Sequence, residues 1–130
     1  MKIVIGYKGT NVGHDLVELA EKQARAFHGE IFILTSLPGG EKTTKPQALE
    51  AEYNLESAKS FFDKKNIPVS THLLVRGFTA GEDIVKFARE NDAELIIIGV
   101  KSRSKLGKLI FGSTAQYVIL QAHCPVMTIK

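Results

Sequence analysis

The chain has a single cysteine, Cys124, in 130 residues. One thiol excludes an internal disulfide framework and any site built on a cysteine cluster, and it carries no mark of a secreted protein. Long apolar runs are missing too. The opening Met1-Lys2-Ile3-Val4-Ile5-Gly6 is too short for a signal peptide or a membrane span, so a cytoplasmic protein is expected. The four histidines, His14, His28, His72 and His123, are scattered without metal-ligand spacing and read as structural or solvent-exposed. No low-complexity segment or internal repeat is visible. The most uneven shortage is of acid. Glu94 is the last of the 14 Asp and Glu residues, whereas Lys101, Arg103, Lys105, Lys108 and Lys130 all follow it. The formal charge of +3 therefore comes wholly from the C-terminal segment. A nucleic-acid binder shows a broader basic surface interleaved with aromatics; a local excess suits a small anionic ligand or, equally, a solvated loop.

What is present is organised around the stretch Leu95–Thr114. Leu95-Ile96-Ile97-Ile98-Gly99 is a short unbroken apolar run ending on Gly, which suits a strand buried on both faces. Gly112-Ser113-Thr114 opens an amphipathic segment and suits a helix start. Between them lie Val100, Lys101, Ser102, Arg103, Ser104, Lys105, Leu106, Gly107, Lys108, Leu109, Ile110 and Phe111, with four cations and no acid. A buried strand, a basic Gly/Ser loop and a helix N-terminus together favour an anion, and phosphate is the usual guest.

The rest of the chain alternates strand and helix patterns. Ile3–Tyr7 reads as a first strand, Lys8-Gly9-Thr10-Asn11 as a turn, and Leu16, Leu19, Ala20, Ala24 and Phe27 as one helix face ended by His28-Gly29. Ile31–Leu34, extended toward Ser36, is a second strand. Pro38–Lys45 is a polar loop with the composition of a mobile segment, and Pro46 begins a second helix with Ala48, Ala51, Leu55, Ala58 and Phe62 inward. Val69–Val75 is a third strand nearer an edge. Thr79-x-x-Glu82 is a capping box opening a third helix, with Ile84, Val85, Phe87 and Ala88 buried. Leu95–Gly99 is the fourth strand. Ala115, Val118, Ile119 and Ala122 mark a fourth helix, stopped by His123-Cys124-Pro125, and Val126–Ile129 is a fifth strand. This alternation predicts one α/β domain over residues 1–130, with an open, parallel five-stranded sheet and right-handed crossovers. Ligands of such sheets bind at the carboxyl ends of the strands. Those ends are Tyr7-Lys8-Gly9, Thr35-Ser36, Val75-Arg76-Gly77 and Gly99-Val100.

The element order, together with Gly99-x2-Ser102-x9-Gly112-Ser113-Thr114 and the ending Cys124-Pro125-Val126, resembles the universal stress protein (UspA-like) family over essentially the whole chain. The resemblance implies strand order 3-2-1-4-5 with helices on both faces, a Rossmann-like fold of the adenine nucleotide alpha hydrolase type. It also implies a homodimer paired through Val126–Ile129 and a site for ATP or another adenine nucleotide, with Mg as a possible companion. Two positions depart from the family pattern. Ser102 stands where nucleotide-binding members carry the second Gly, and Lys8 stands where they place an Asp after the first strand. Ser keeps a hydroxyl donor but changes the loop geometry. Lys cannot accept hydrogen bonds from ribose hydroxyls, though it can neutralise phosphate or block the pocket.

Gly99, Gly112, Ser113 and Thr114 are the leading ligand contacts, with Val100 beside Gly99 at the strand end and Ser102, Arg103 and Ser104 as second-rank phosphate donors. The plain alternative is that Gly112-Ser113 is only a helix cap. By the resemblance, Gly6, Tyr7 and Lys8 line the base or ribose side, although Tyr7 is equally a core strand residue. Ser36, with Thr35, brings backbone toward an adenine edge or is simply a polar strand end. The expected function is an adenine-nucleotide-binding regulatory protein of the stress response with little or no turnover. The alternative is a dimeric interaction module of the same family without a ligand. The P-loop Gly-x4-Gly-Lys-(Ser/Thr) and the His-x-Gly-His loop of nucleotidyl transferases are absent, and the basic loop holds no acid to act as general base. No nucleic-acid or membrane partner is expected.

Overall fold

A computed structural model describes residues 1–7, 11–100 and 112–130. The elements run β1 (Lys2–Gly6), α1 (Asn11–Phe27), β2 (Glu30–Ser36), α2 (Lys45–Asp63), β3 (Val69–Leu74), α3 (Ala80–Glu90), β4 (Leu95–Gly99), α4 (Ser113–Gln121) and β5 (Val126–Ile129). A 3-10 turn, Gly40–Lys42, interrupts the polar loop before α2. The strands form one sheet, parallel as the alternation predicts and in the order β3-β2-β1-β4-β5 that the resemblance implies.

Strand alternation divides the core into two clusters, one on each face of the sheet. Ile3, Ile5, Ile31, Ile33, Leu95 and Ile97 meet Leu16, Ala20, Leu55, Ala58 and Phe62 from α1 and α2. Val4, Leu34, Ile96 and Ile98 meet Ile84, Phe87, Ala88, Ala115 and Val118 from α3 and α4. Strands buried on both faces carry apolar residues at successive positions, hence the continuous β-branched runs in β1 and β4. Every residue of β3 is only half-buried, in keeping with its place at an edge. Two apolar positions on the predicted helix faces lie outside the core. Phe27 is 54% exposed and Ile119 is 45% exposed. Each lies near the end of its helix, where the elements facing it no longer cover the full periodic stripe.

Three helix-to-strand turns share one geometry. His28, Asn66 and Asp92 take positive φ of 52°, 57° and 52°. In each case the following N–H donates back five residues: Gly29 to Ala24, Ile67 to Phe62 and Ala93 to Ala88. This is the Schellman closure. In the first turn the left-handed residue is His28 rather than the adjacent Gly29. These turns deliver the chain to the amino ends of the strands and leave the carboxyl ends to a different set of loops.

Candidate functional site

β1 is the central strand, with β2 on one side and β4 on the other. The chain winds outward from β1 to β3 and then crosses back to β4. The switch point therefore lies between β1 and β4, where a crevice forms at the carboxyl ends of open α/β sheets. Gly6 and Tyr7 stand there. Gly6 pairs with Leu34 of β2 and with Ile98 of β4, which brings it beside Gly99. A Cβ on Gly6 would meet Ile84 Cδ1 at 2.9 Å, so this position is bare because α3 packs directly on the strand. The Tyr7 ring turns to the other face, over α1. A Cβ on Gly13 would meet that ring at 2.8 Å, so Gly13 makes the seat for Tyr7. Burial there pushes the Tyr7 phenol above its ordinary pKa. The side chain is thus engaged with α1, and the part of Tyr7 at the sheet edge is its backbone.

The β2 end is held on both sides. Tyr7 N–H donates to the Leu34 carbonyl at 2.8 Å, and the Thr35 hydroxyl donates to the Tyr7 carbonyl at 2.7 Å. Leu37 N–H donates to the Leu74 carbonyl of β3 at 2.8 Å. In a parallel ladder, successive residues address alternate neighbours. Leu34 and Ser36 therefore face β1, and Thr35 and Leu37 face β3. The Ser36 N–H and C=O point past the end of β1. Its hydroxyl donates to Asp83 Oδ2 on α3.

Asp83 is the residue at this edge of the sheet that local sequence patterns miss. It is fully buried, and Arg76 Nε and Nη2 both reach its Oδ1 at 2.9 Å. Arg76 also approaches Glu90 at 3.5 Å and lies 5.7 Å from the Phe78 ring centroid, which Lys86 approaches at 5.3 Å. Glu82, next to Asp83, accepts the Thr79 N–H while the Thr79 hydroxyl accepts the Glu82 N–H. Those bonds hold the Glu82 carboxyl below its ordinary range. Glu82 fills the capping box alone, so a second, adjacent acid was the available signal that Asp83 has another role.

On the β4 side, Gly99 closes the strand opposite Ile129 of β5. Val100 N–H donates to the Ile129 carbonyl at 2.8 Å, and its side chain is buried with Ile96 and Ile98. Val100 therefore has no side chain to offer a ligand. Gly112 is the N-cap of α4, with φ −67° and ψ 163°, and no side chain bonds the first turn from that position. Ser113 is exposed and Thr114 half-buried, while Ala115 and Val118 anchor α4 in the core shared with α3. Structure thus brings Gly6, Tyr7, Ser36 and Gly99 together at one edge, with Gly112, Ser113 and Thr114 opening a separate helix. Lys8, Ser102 and Arg103 lie outside the described residues. Among the described residues, no cluster of three or more His, Cys, Asp or Glu side chains is placed to hold a metal ion. None of the described helices is long and apolar enough to cross a membrane.

An open parallel sheet with its switch point between β1 and β4 defines a doubly wound α/β protein, a class that takes its ligands past the carboxyl ends of the strands. The model of the Universal stress protein family matches residues 1–130, and the chain belongs to that family. A universal stress protein from Archaeoglobus fulgidus superposes with a TM-score of 0.91 at 41% identity, over 100% of this chain and 98% of that one. A universal stress protein from the same organism, solved in complex with dAMP, superposes with a TM-score of 0.84 at 36% identity, again over 100% and 98%. Universal stress protein MJ0531 of Methanocaldococcus jannaschii is 29% identical over 140 residues, covering 99% of this chain and 81% of that protein.

Proposed function

We propose that this chain binds an adenine nucleotide in the crevice past β1 and β4 and acts as a regulatory binding protein of the stress response with little or no turnover. The observation that carries this reading is the dAMP complex of a relative 36% identical over the whole chain. Two features of the chain's own geometry support it. The Ser36 peptide groups point past β1, where they match the acceptor and amino donor on one edge of adenine. The first turn of α4 receives no side-chain cap at Gly112, so its N–H groups are suited to a phosphate.

In this reading Gly6, Tyr7, Lys8 and Ser36 serve the base and ribose. Gly99, Val100, Ser102, Arg103, Gly112, Ser113 and Thr114 serve the phosphates, with Val100 contributing backbone only. Little turnover follows from the acids near the edge. Asp83 is tied to Ser36 and Arg76, and Glu82 to Thr79, so neither is available as a general base. ATP, with or without Mg, belongs to the same proposal as AMP. The proposal includes a single cytoplasmic domain over residues 1–130 and a homodimer paired through Val126–Ile129. The exposed Ile119 and Leu120 of α4 suit a covering partner of that kind.

The test is titration calorimetry and thermal shift with AMP, ADP, ATP and cyclic AMP. At a free concentration about 100 times the Kd, the bound state gains about 2.7 kcal/mol. That stabilisation raises the melting temperature for at least one of the four. Absence of heat and of any shift with all four at millimolar concentration overturns the reading in favour of the ligand-free interaction module.

A further inference from the structure

We propose that Asp83 is a positioning residue for base recognition: through the Ser36 hydroxyl and the Arg76 side chain it sets the direction of the Ser36 peptide edge that reads the base. This inference rests on the adenine-nucleotide reading above and concerns how the same site discriminates.

Three observations lead to it. First, Asp83 is fully buried in the first turn of α3, although the neighbouring Glu82 already completes the capping box. Burying a carboxylate carries a large desolvation cost, and a packed apolar residue would serve stability as well or better. Second, its partners come from the two chain segments that border the carboxyl edge. Ser36 ends β2, and Arg76 follows β3. One buried carboxylate thus joins segments 47 and 7 residues away in sequence. Third, the bond is made by the residue whose main-chain N–H and C=O face the space past β1. On its other flank Thr35 is tied to the Tyr7 carbonyl. The Thr35-Ser36 peptide is therefore held from the β1 side and from the α3 side together.

A fixed N–H beside a fixed C=O recognises a base that presents an acceptor beside a donor, as the N1 and amino group of adenine do. Guanine presents the opposite order on the corresponding edge. A site with rigid polar groups rejects the reversed pattern strongly, because its buried groups are then left unpaired. A loosely held edge turns to suit either base. Asp83 acts on selectivity through this rigidity, without touching the ligand.

The experiment is calorimetry of the full chain with AMP and with GMP, for the wild type, Ser36→Ala, Ser36→Thr and Asp83→Asn. The expected result is a preference of the wild type for AMP that falls by about tenfold in Ser36→Ala, the loss of one charge-assisted hydrogen bond. Ser36→Thr, which restores a hydroxyl, keeps the preference. Asp83→Asn shows the same fall as Ser36→Ala, and combining the two adds nothing further. An AMP:GMP ratio unchanged in Ser36→Ala, whether both affinities drop together or only the melting temperature falls, overturns the inference. A wild type that binds both equally also overturns it. A wild type that binds neither AMP nor GMP overturns the inference, and only if it also gives no heat with ADP, ATP and cyclic AMP does the nucleotide reading fall with it, so the two failures are distinguishable. If Asp83→Asn does not fold, the two Ser36 variants decide the matter alone.

Discussion

The starts of α3 and α4 differ although the two helices share one face of the sheet. α3 opens with Thr79 and Glu82 bonded reciprocally, with two acids in its first turn. α4 opens with Gly112, has no side-chain cap bond and no acid in its first turn. A helix start carries partial positive charge and unpaired N–H groups. At α3 the chain supplies its own anionic partner and spends the remaining acid, Asp83, on tying the edge together. At α4 no partner of that kind comes from the cap position. The difference leaves one helix start satisfied by its own side chains and the other with neither a side-chain cap nor an acid in its first turn, which is the start the proposed phosphate would use.

The largest expected effect breaks this division directly. Gly112→Asp installs the missing cap, and Gly112 has extended backbone angles that any residue adopts. Calorimetry should show AMP affinity falling by about a hundredfold or more, because the new carboxylate meets the phosphate. The ligand-free melting temperature should hold or rise, since Asp caps better than Gly by about a few tenths of a kcal/mol. Next in size is Asp83→Ala, which strips Arg76 and Ser36 of their shared acceptor. Urea unfolding should show a loss of about 2–3 kcal/mol, below the value for a wholly buried pair because Arg76 is partly exposed. Thr79→Ala removes only the capping box and should cost about 1 kcal/mol by the same measurement while leaving AMP affinity unchanged. A clear loss of AMP affinity in Thr79→Ala would mean that the α3 start also faces the ligand, and the division would fail.

The smallest effect concerns pH. His72 of β3 lies 4.7 Å from Phe87 and 6.1 Å from Phe32, ring centroid to centroid, and burial lowers its pKa below the ordinary 6.5. The unfolded chain then binds more protons than the folded one as pH falls through 6.5. His72 therefore contributes full stability above that pH and loses it toward and through the lower folded value. Denaturant midpoints recorded across this range should slope upward with pH, and His72→Phe should flatten the slope.

The sheet was legible because its inner strands are runs of β-branched residues bounded by Gly and Pro, a pattern set by burial on both faces. Strand order came from resemblance rather than from periodicity. Phe27 and Ile119 fit their helix periods yet lie exposed, since a period marks a face without telling how far the opposing layer extends. The capping box of α3 was legible because its partners are three residues apart. Asp83 was not, because its partners converge only in three dimensions. Likewise Ser36 reads as a polar strand end, and only the ladder's alternation reveals which neighbour its backbone addresses.

The left-handed residues His28, Asn66 and Asp92 have one further consequence. None is glycine, although glycine suits that conformation at less steric cost. Each turn therefore holds a small reserve of stability, reached by one substitution on the floor of the molecule opposite the crevice. A tougher protein is accessible there without disturbing whatever the roof has been shaped to receive.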